Sequence, residues 1–280
     1  MEDNQSYGVG RGKSKRGAQN PKAGDVLTKH AERLTSSHEK YPTDVRNDKI
    51  YCKDWSETSR VLREVVNQGN RDDCWVHATT KSIEAELKIK FDLDVTLSAK
   101  HLYHGIEKKK NSDAVKNFEE IGDFLKHEGI VQEKDCECEK RTAKKDPCAK
   151  KIKEKTVRIL KIDELVKTTN VDEEELIQLV KLRPVVASIN ATKEFKGLMG
   201  DGIFIGNETS KKKTKGNHVV LITGYGSNDG VHYWIIQNSW GLRWGEKGFA
   251  KVARKISRGQ HSIFSEIIYP LVSTVGDLAA

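Results

Sequence analysis

Gln68-Gly69-Asn70-Arg71-Asp72-Asp73-Cys74-Trp75 is the stretch that decides how the rest of this chain reads. Cys74 opens a segment, Trp75 to Lys90, that holds neither Gly nor Pro. Within it Val76, Thr79, Ile83 and Leu87 recur three or four residues apart, with Ala78, Ala85 and Ile89 alongside. That is the spacing of one buried helical stripe, so a helix is predicted to begin at Cys74. A thiol in the first turn of a helix lies near unpaired amide N–H groups and the positive end of the helix dipole, which favour the thiolate. A lone cysteine is more often a small buried hydrophobe. The functional reading therefore needs a base and an orienting group elsewhere in the chain.

A candidate base is His218, which opens the apolar run Val219-Val220-Leu221-Ile222-Thr223 before Gly224-Tyr225-Gly226. A second strand-like run, His232 to Gln237, leads into Asn238-Ser239-Trp240-Gly241, then Trp244-Gly245 and Gly248-Phe249-Ala250-Lys251-Val252. From His218 to Val252 these blocks resemble, almost residue for residue, the histidine and asparagine motifs of the papain family of cysteine proteases. The resemblance covers about Pro42 to Tyr269. His218 lies 144 residues after Cys74 and Asn238 lies 164 after it, against about 130 to 150 in the signature, a spread that surface insertions absorb.

The resemblance implies an α+β, papain-like two-lobed fold. Its helical left lobe would span about 50–155, with the central helix starting at the nucleophile, and its antiparallel, barrel-like right lobe about 156–270. It implies a cysteine-type endopeptidase that hydrolyses peptide bonds through a thiolate–imidazolium pair. Cys74 would attack, His218 would shuttle the proton, and Asn238 would orient the imidazole. Gln68 would offer its amide to the oxyanion beside the Cys74 backbone N–H. Trp240 would cover the His218–Asn238 bond. Asp72, Asp73, Val219 and Glu266 would touch substrate, and Glu266, counted back from Tyr269-Pro270, would favour a basic residue in the second specificity pocket. No cofactor or metal is implied, and the partner would be a peptide or protein met by a monomer.

Two departures from the family pattern stand out. Asp72-Asp73 replaces the Gly-Ser that usually precedes the nucleophile. Two carboxylates about 7 Å from the sulfur would each oppose the thiolate by roughly 0.6 to 2.4 kcal/mol, raising the thiol pKa by about one to three units in all. An imidazolium partner lowers it by several units, so a thiolate at neutral pH is expected to survive. His77, one helical turn on, stands ready to offset the charge. The glycine pair that lines the family's groove is also missing, because Lys108-Lys109-Lys110-Asn111-Ser112-Asp113 holds no glycine. These departures keep a second reading open: a catalytically weakened protein of the same fold that acts by binding a partner.

The remainder of the chain sets bounds. Its 280 residues, 36% hydrophobic and 32% charged, suffice for one two-lobed domain. The net charge of +8 allows loose attraction to polyanions without making the protein a nucleic-acid binder. Residues 1–40 read as a disordered basic tail, and 271–280 as a C-terminal tail. In the former, Gly8-Val9-Gly10-Arg11-Gly12-Lys13-Ser14 only imitates a phosphate loop, since Tyr7 stands where its first glycine belongs. No apolar signal follows Met1, no run reaches transmembrane length, and the tail is too short and polar for the family's helical propeptide.

On the family pattern, three disulfides would need cysteines near Arg71, Gly105, Cys148, the Asn207–Lys213 loop and His261, of which only Cys148 is present. Cys136 and Cys138 stand too close to bridge each other, and a metal site from Cys136, Cys138 and Cys148 lacks a fourth ligand nearby. The expectation is a chain without disulfides, placed in cytoplasm or nucleus, with lysosome, vacuole or extracellular space as the family alternative. Ala114–Gly129 and Val171–Leu182 are predicted helices. Strands are predicted at Pro184–Ile189 and Gly202–Ile205.

Overall fold

The computed structural model describes residues 52–136, 148–206, 218–228, 231–254 and 262–276, all within one compact unit, 44–280. The basic N-terminal tail, its glycine-rich run and Cys138 lie outside the described residues. Among the described residues no helix is long and apolar enough to cross a membrane.

Helix α1 (Cys74–Phe91) starts at the predicted residue, but it is buried on every side from Cys74 to Leu87 rather than along one stripe. It packs against strands on one flank and a helix on the other, which leaves its polar side chains no route to water. Each then needs a partner inside the protein. Leu97 N–H donates to Glu84 Oε1 at 2.6 Å. Arg183 Nη1 donates to Glu86 Oε1 and to Pro270 O, both at 2.9 Å. Lys81 Nζ donates to Glu64 O at 2.6 Å and to Gln237 Oε1 at 3.3 Å. The helix ends at Asp92, whose left-handed φ of 54° turns its N–H back onto Leu87 and Lys88 carbonyls.

On the helical side, Ser98 caps α2 (Ala99–Gly105) by accepting from His101 N–H at 3.2 Å. Helix α3 (Glu119–His127) begins five residues later than the sequence pattern predicts. Lys108 and Val115 pair in an antiparallel bridge there, and Asn117 Oδ1 accepts from Glu120 N–H at 2.9 Å, so the chain turns before it coils. Gly129, with φ of 82°, closes the helix. A short α4 (Ala149–Lys153) follows.

Strands β1 (Lys53–Asp54), β4 (Glu164–Thr169), β5 (Val185–Ile189), β6 (Ile203–Phe204), β7 (His218–Asn228), β8 (Val231–Gln237), β9 (Phe249–Ala253) and β10 (Glu266–Leu271) form one sheet. Its order is β4-β10-β5-β7-β8-β9-β6, with β1 paired to β7. A separate pair joins β2 (Ile130–Val131) to β3 (Ile159–Leu160). The early strand β1 thus belongs to the sheet side, admitted by Gly224, where a Cβ would sit 2.1 Å from Lys53 O. Helices α5 (Glu173–Leu182) and α6 (Lys193–Lys196) start at Asp172 and Thr192, whose side chains accept from Glu175 and Phe195 N–H. One core joins both sides, with Trp75, Leu87, Leu102 and Leu125 packed with Val219, Leu221 and Ile268. Burial of each such side chain stabilises the fold by about 1.5 to 3 kcal/mol.

The expectation of no disulfide is corrected. Cys136 and Cys148 are bonded, with Cα atoms 4.7 Å apart and a sequence separation of 12. Linear spacing does not reveal that the two sulfurs meet. The bond also removes both thiols from the metal set considered above. Cys52 and Cys74 are the free cysteines among the described residues.

Candidate active site

Strand pairing brings the distant motifs together. β7 begins at His218 and runs antiparallel to β8, with Leu221 opposite Gln237, so the start of one strand lies beside Asn238 at the end of the other. His218 Nε2 and Asn238 Oδ1 are 2.7 Å apart. Ser239 N–H also donates to Asn238 Oδ1 at 2.7 Å. A backbone N–H can only donate, which identifies that atom as the amide oxygen and makes Nε2–H the donor on the imidazole. The basic atom of the neutral ring is then Nδ1.

Trp240 stacks on His218 at 4.2 Å between centroids and 28° between planes. Phe195, which the sequence reading did not single out, meets Trp240 and Trp244 at 5.8 and 5.2 Å and His218 at 6.4 Å. Its capping Thr192 aims it there. Burial pushes His218 down from 6.5 to about 4; the Asn238 bond acts in the opposite sense and the Lys196 charge in the same sense.

Cys74 sits in the first turn of α1, 7% exposed. The Val219 and Trp75 N–H groups donate to its sulfur, so the residue after His218 touches the thiol directly. Burial nevertheless pushes the thiol up from 9.0 to about 11, with Asp73 and Asp72 adding to the rise. Burial is thus a further opposition to the thiolate, beside the two carboxylates counted in the sequence. Desolvation outweighs the carboxylates in opposing the thiolate, and pairing with a His218 imidazolium is what must offset it.

Gln68 is anchored to the asparagine segment: its N–H donates to Ser239 O at 2.8 Å, and its Oε1 accepts from Ser239 Oγ. Its Nε2 donates to Arg71 O within the same turn. The two carboxylates before Cys74 diverge. Asp73 is buried, with Arg71 Nε at 3.0 Å and His77 Nε2 at 3.7 Å. Asp72 is exposed and accepts from Ser112 Oγ at 2.8 Å. Arg71 also lies 3.5 Å from Asp113 and 4.5 Å above the Tyr103 ring. The counter-ion was visible in the sequence beside Asp72-Asp73, but its link to Asp113 depends on tertiary packing. Val219 is buried beside the thiol, whereas Glu266 lies in β10, accepting from Ser188 Oγ at 3.1 Å and 3.8 Å from Lys167 Nζ.

Fold and site together place a cysteine at a helix start, a histidine at the start of one strand and an asparagine just past the end of its neighbour, in an α+β domain. The chain belongs to the papain family of cysteine proteases, whose sequence pattern matches residues 52–271. It is 33% identical over 222 residues to the KDEL-tailed cysteine endopeptidase of Arabidopsis thaliana, covering 78% of this chain and 58% of that protein. It is 30% identical over 210 residues to pro-cathepsin H of Mus musculus, covering 72% and 59%. The chain thus spans well under two thirds of these relatives' length. Bromelain from Ananas comosus, solved with the E64 inhibitor, shares the fold with a TM-score of 0.65 and 24% identity, over 79% of this chain and 99% of that one. The proform of the ragweed pollen protease Amb a 11 matches with a TM-score of 0.67 and 25% identity, over 89% and 75%.

Proposed function

We propose that this protein is a papain-type cysteine endopeptidase acting as a monomer on peptide or protein substrates, without metal or cofactor. The helical lobe, about 50–155, and the sheet lobe, about 156–270, would flank the groove. In the reaction the Cys74 sulfur attacks the scissile carbonyl carbon while His218 Nδ1 takes the thiol proton. Because each charge alone is disfavoured by burial, the two form together, where their mutual attraction offsets desolvation. Asn238 holds the imidazole through Nε2–H, and Trp240 shields that bond from water. The oxyanion accepts from Cys74 N–H and from Gln68 Nε2, once the latter swings from Arg71 O. The imidazolium then protonates the leaving amine, and water cleaves the thioester by the reverse relay.

The observation that carries this reading is the bonded set of Ser239 N–H, Asn238 Oδ1 and His218 Nε2 under Trp240, with Val219 N–H on the Cys74 sulfur. Its test is labelling by an epoxysuccinyl peptide, read by mass and site in the parent, Cys74→Ala and His218→Ala proteins. Labelling at Cys74 that depends on His218 is expected. If only small thiol reagents reach Cys74, with no help from His218, the weakened, partner-binding reading replaces this one.

Glu266 would add a preference for a basic residue in the second pocket, and equal cleavage of matched Arg and Leu peptides would dismiss it. The Cys136–Cys148 bond favours the family alternative for location, an oxidising secretory route or vacuole, over cytoplasm. Protein purified without reductant should then leave both cysteines unmodified by maleimide until reduced, while exposed Cys52 reacts at once. Ready modification of all three would return the cytoplasmic placement.

A further inference from the structure

Asp72 and Asp73 directly precede Cys74, Asp113 is linked to Asp73 through Arg71, and the three are not equivalent. Asp73 and Asp113 share Arg71, at 3.0 and 3.5 Å. Tyr103 O–H donates to Asp113. Lys108 is turned inward: its Nζ donates to Tyr103 O at 2.8 Å and lies 4.1 Å above that ring. Asp72 has a different partner. It is exposed, two residues before the thiol, and accepts from the neutral Ser112 hydroxyl at 2.8 Å. Lys109 and Lys110 are exposed on the same loop as Ser112.

Ser112 is held firmly where it stands. Lys108 bridges to Val115, and Lys109 N–H donates to Ala114 O at 2.8 Å. Ala114 N–H donates to Ser112 Oγ at 3.1 Å, and Asn111 makes the turn with φ of 60°. The Asp72–Ser112 bond therefore joins the nucleophile turn to the loop that stands where the family's bare glycine wall would be. A substrate approaching Cys74 along that wall meets a carboxylate bonded to a hydroxyl.

We infer that Asp72 is a specificity-determining residue that selects substrates carrying a cationic side chain, with Ser112 occupying the carboxylate until such a group displaces it. This rests on the endopeptidase reading above. An ammonium or guanidinium makes a stronger bond to a carboxylate than a hydroxyl does, so the exchange favours a cation. A neutral side chain offers no such exchange and leaves the bridge in its way. Because Asp72 opposes ionisation of the Cys74 thiol, a cation seated on it also relieves that opposition, and selection extends from binding into the chemical step.

The test uses fluorogenic peptides in matched pairs, Arg against its neutral isostere citrulline, scanned over four positions on the acyl side of the scissile bond. kcat/KM is compared for the parent, Asp72→Asn, Ser112→Ala and Glu266→Gln proteins. The parent should favour Arg about tenfold at one position. Asp72→Asn should bring that ratio close to one, Glu266→Gln should leave it, and Ser112→Ala should raise turnover of the citrulline peptide. In the parent alone, the ratio should fall as salt rises from 0.05 to about 0.5 M, since an exposed ion pair is screened. A ratio unchanged by Asp72→Asn, or insensitive to salt, overturns this role and leaves the peptidase reading standing. No turnover of any peptide and no epoxysuccinyl labelling at Cys74 in any variant overturns both.

Discussion

The two sides of the candidate groove are built by different physics. On the sheet side, His218, Asn238 and Trp240 are fixed by a continuous antiparallel ladder and an aromatic stack. Backbone bonds set their separation, and surface charge has little say. On the helical side, Asp72, Asp73 and the 108–115 loop are held by Arg71, Tyr103 and Ser112, a set of charged and hydroxyl contacts at partly exposed positions. The first side resembles the family's motifs almost residue for residue; the second departs from them at Asp72-Asp73 and at the 108–113 loop. Proton transfer tolerates little displacement, whereas a substrate wall can be rebuilt from other residues and acquire a new preference.

The largest effects should fall on the sheet side. His218→Ala should lower kcat/KM by about 10²- to 10⁴-fold, and Asn238→Ala by about 10²-fold through a misplaced ring, each measured against a peptide already cleaved by the parent. Equal losses for Asn238→Ala and for a wall substitution would erase the contrast between the two sides.

A second effect tests what the shared helix α1 contributes. Burial pushes Glu84 up from 4.5 to about 7, against the pull of Leu97 N–H, Arg63 and Lys81. A raised carboxyl pKa means that the folded state holds the proton more tightly. Its contribution is complete below pH 4.5 and is lost as pH rises through about 7. Unfolding free energy should therefore drop by ~3 kcal/mol across that window from this group. Denaturant titrations of the parent and Glu84→Gln would check it, and parallel pH profiles for the two would refute it.

The smallest effect belongs to the wall. Arg71→Ala should cost about 1 kcal/mol of global stability, as partly exposed ion pairs do, yet speed amide exchange across 108–115 more than across β7 and β8. Uniform exchange changes over both sides would show that the wall is locked by packing rather than by charge.

Much of the catalytic side is readable from the chain. The apolar spacing after Cys74 announced α1 to the residue, and the motifs at His218 and Asn238 announced the strands that carry them. What failed was tied to burial and to contacts remote in sequence. α1 is enclosed on all sides although its polar positions suggested one exposed face. Ala114–Phe118 did not coil because Val115 pairs with Lys108. Charges near Cys74 could be counted, but the desolvation that dominates its titration could not, since burial is a property of the assembled core.

By itself, the sequence pointed to the class of chemistry, because the blocks around Cys74, His218 and Asn238 resemble the papain family's motifs closely enough to name the family. Tertiary structure alone decided the Cys136–Cys148 bond, the burial that opposes charge on Cys74 and His218, and which of Asp72, Asp73 and Asp113 stands exposed to solvent. Each depends on distances between residues far apart in the chain and on how much water remains around them, and neither quantity is written in linear order.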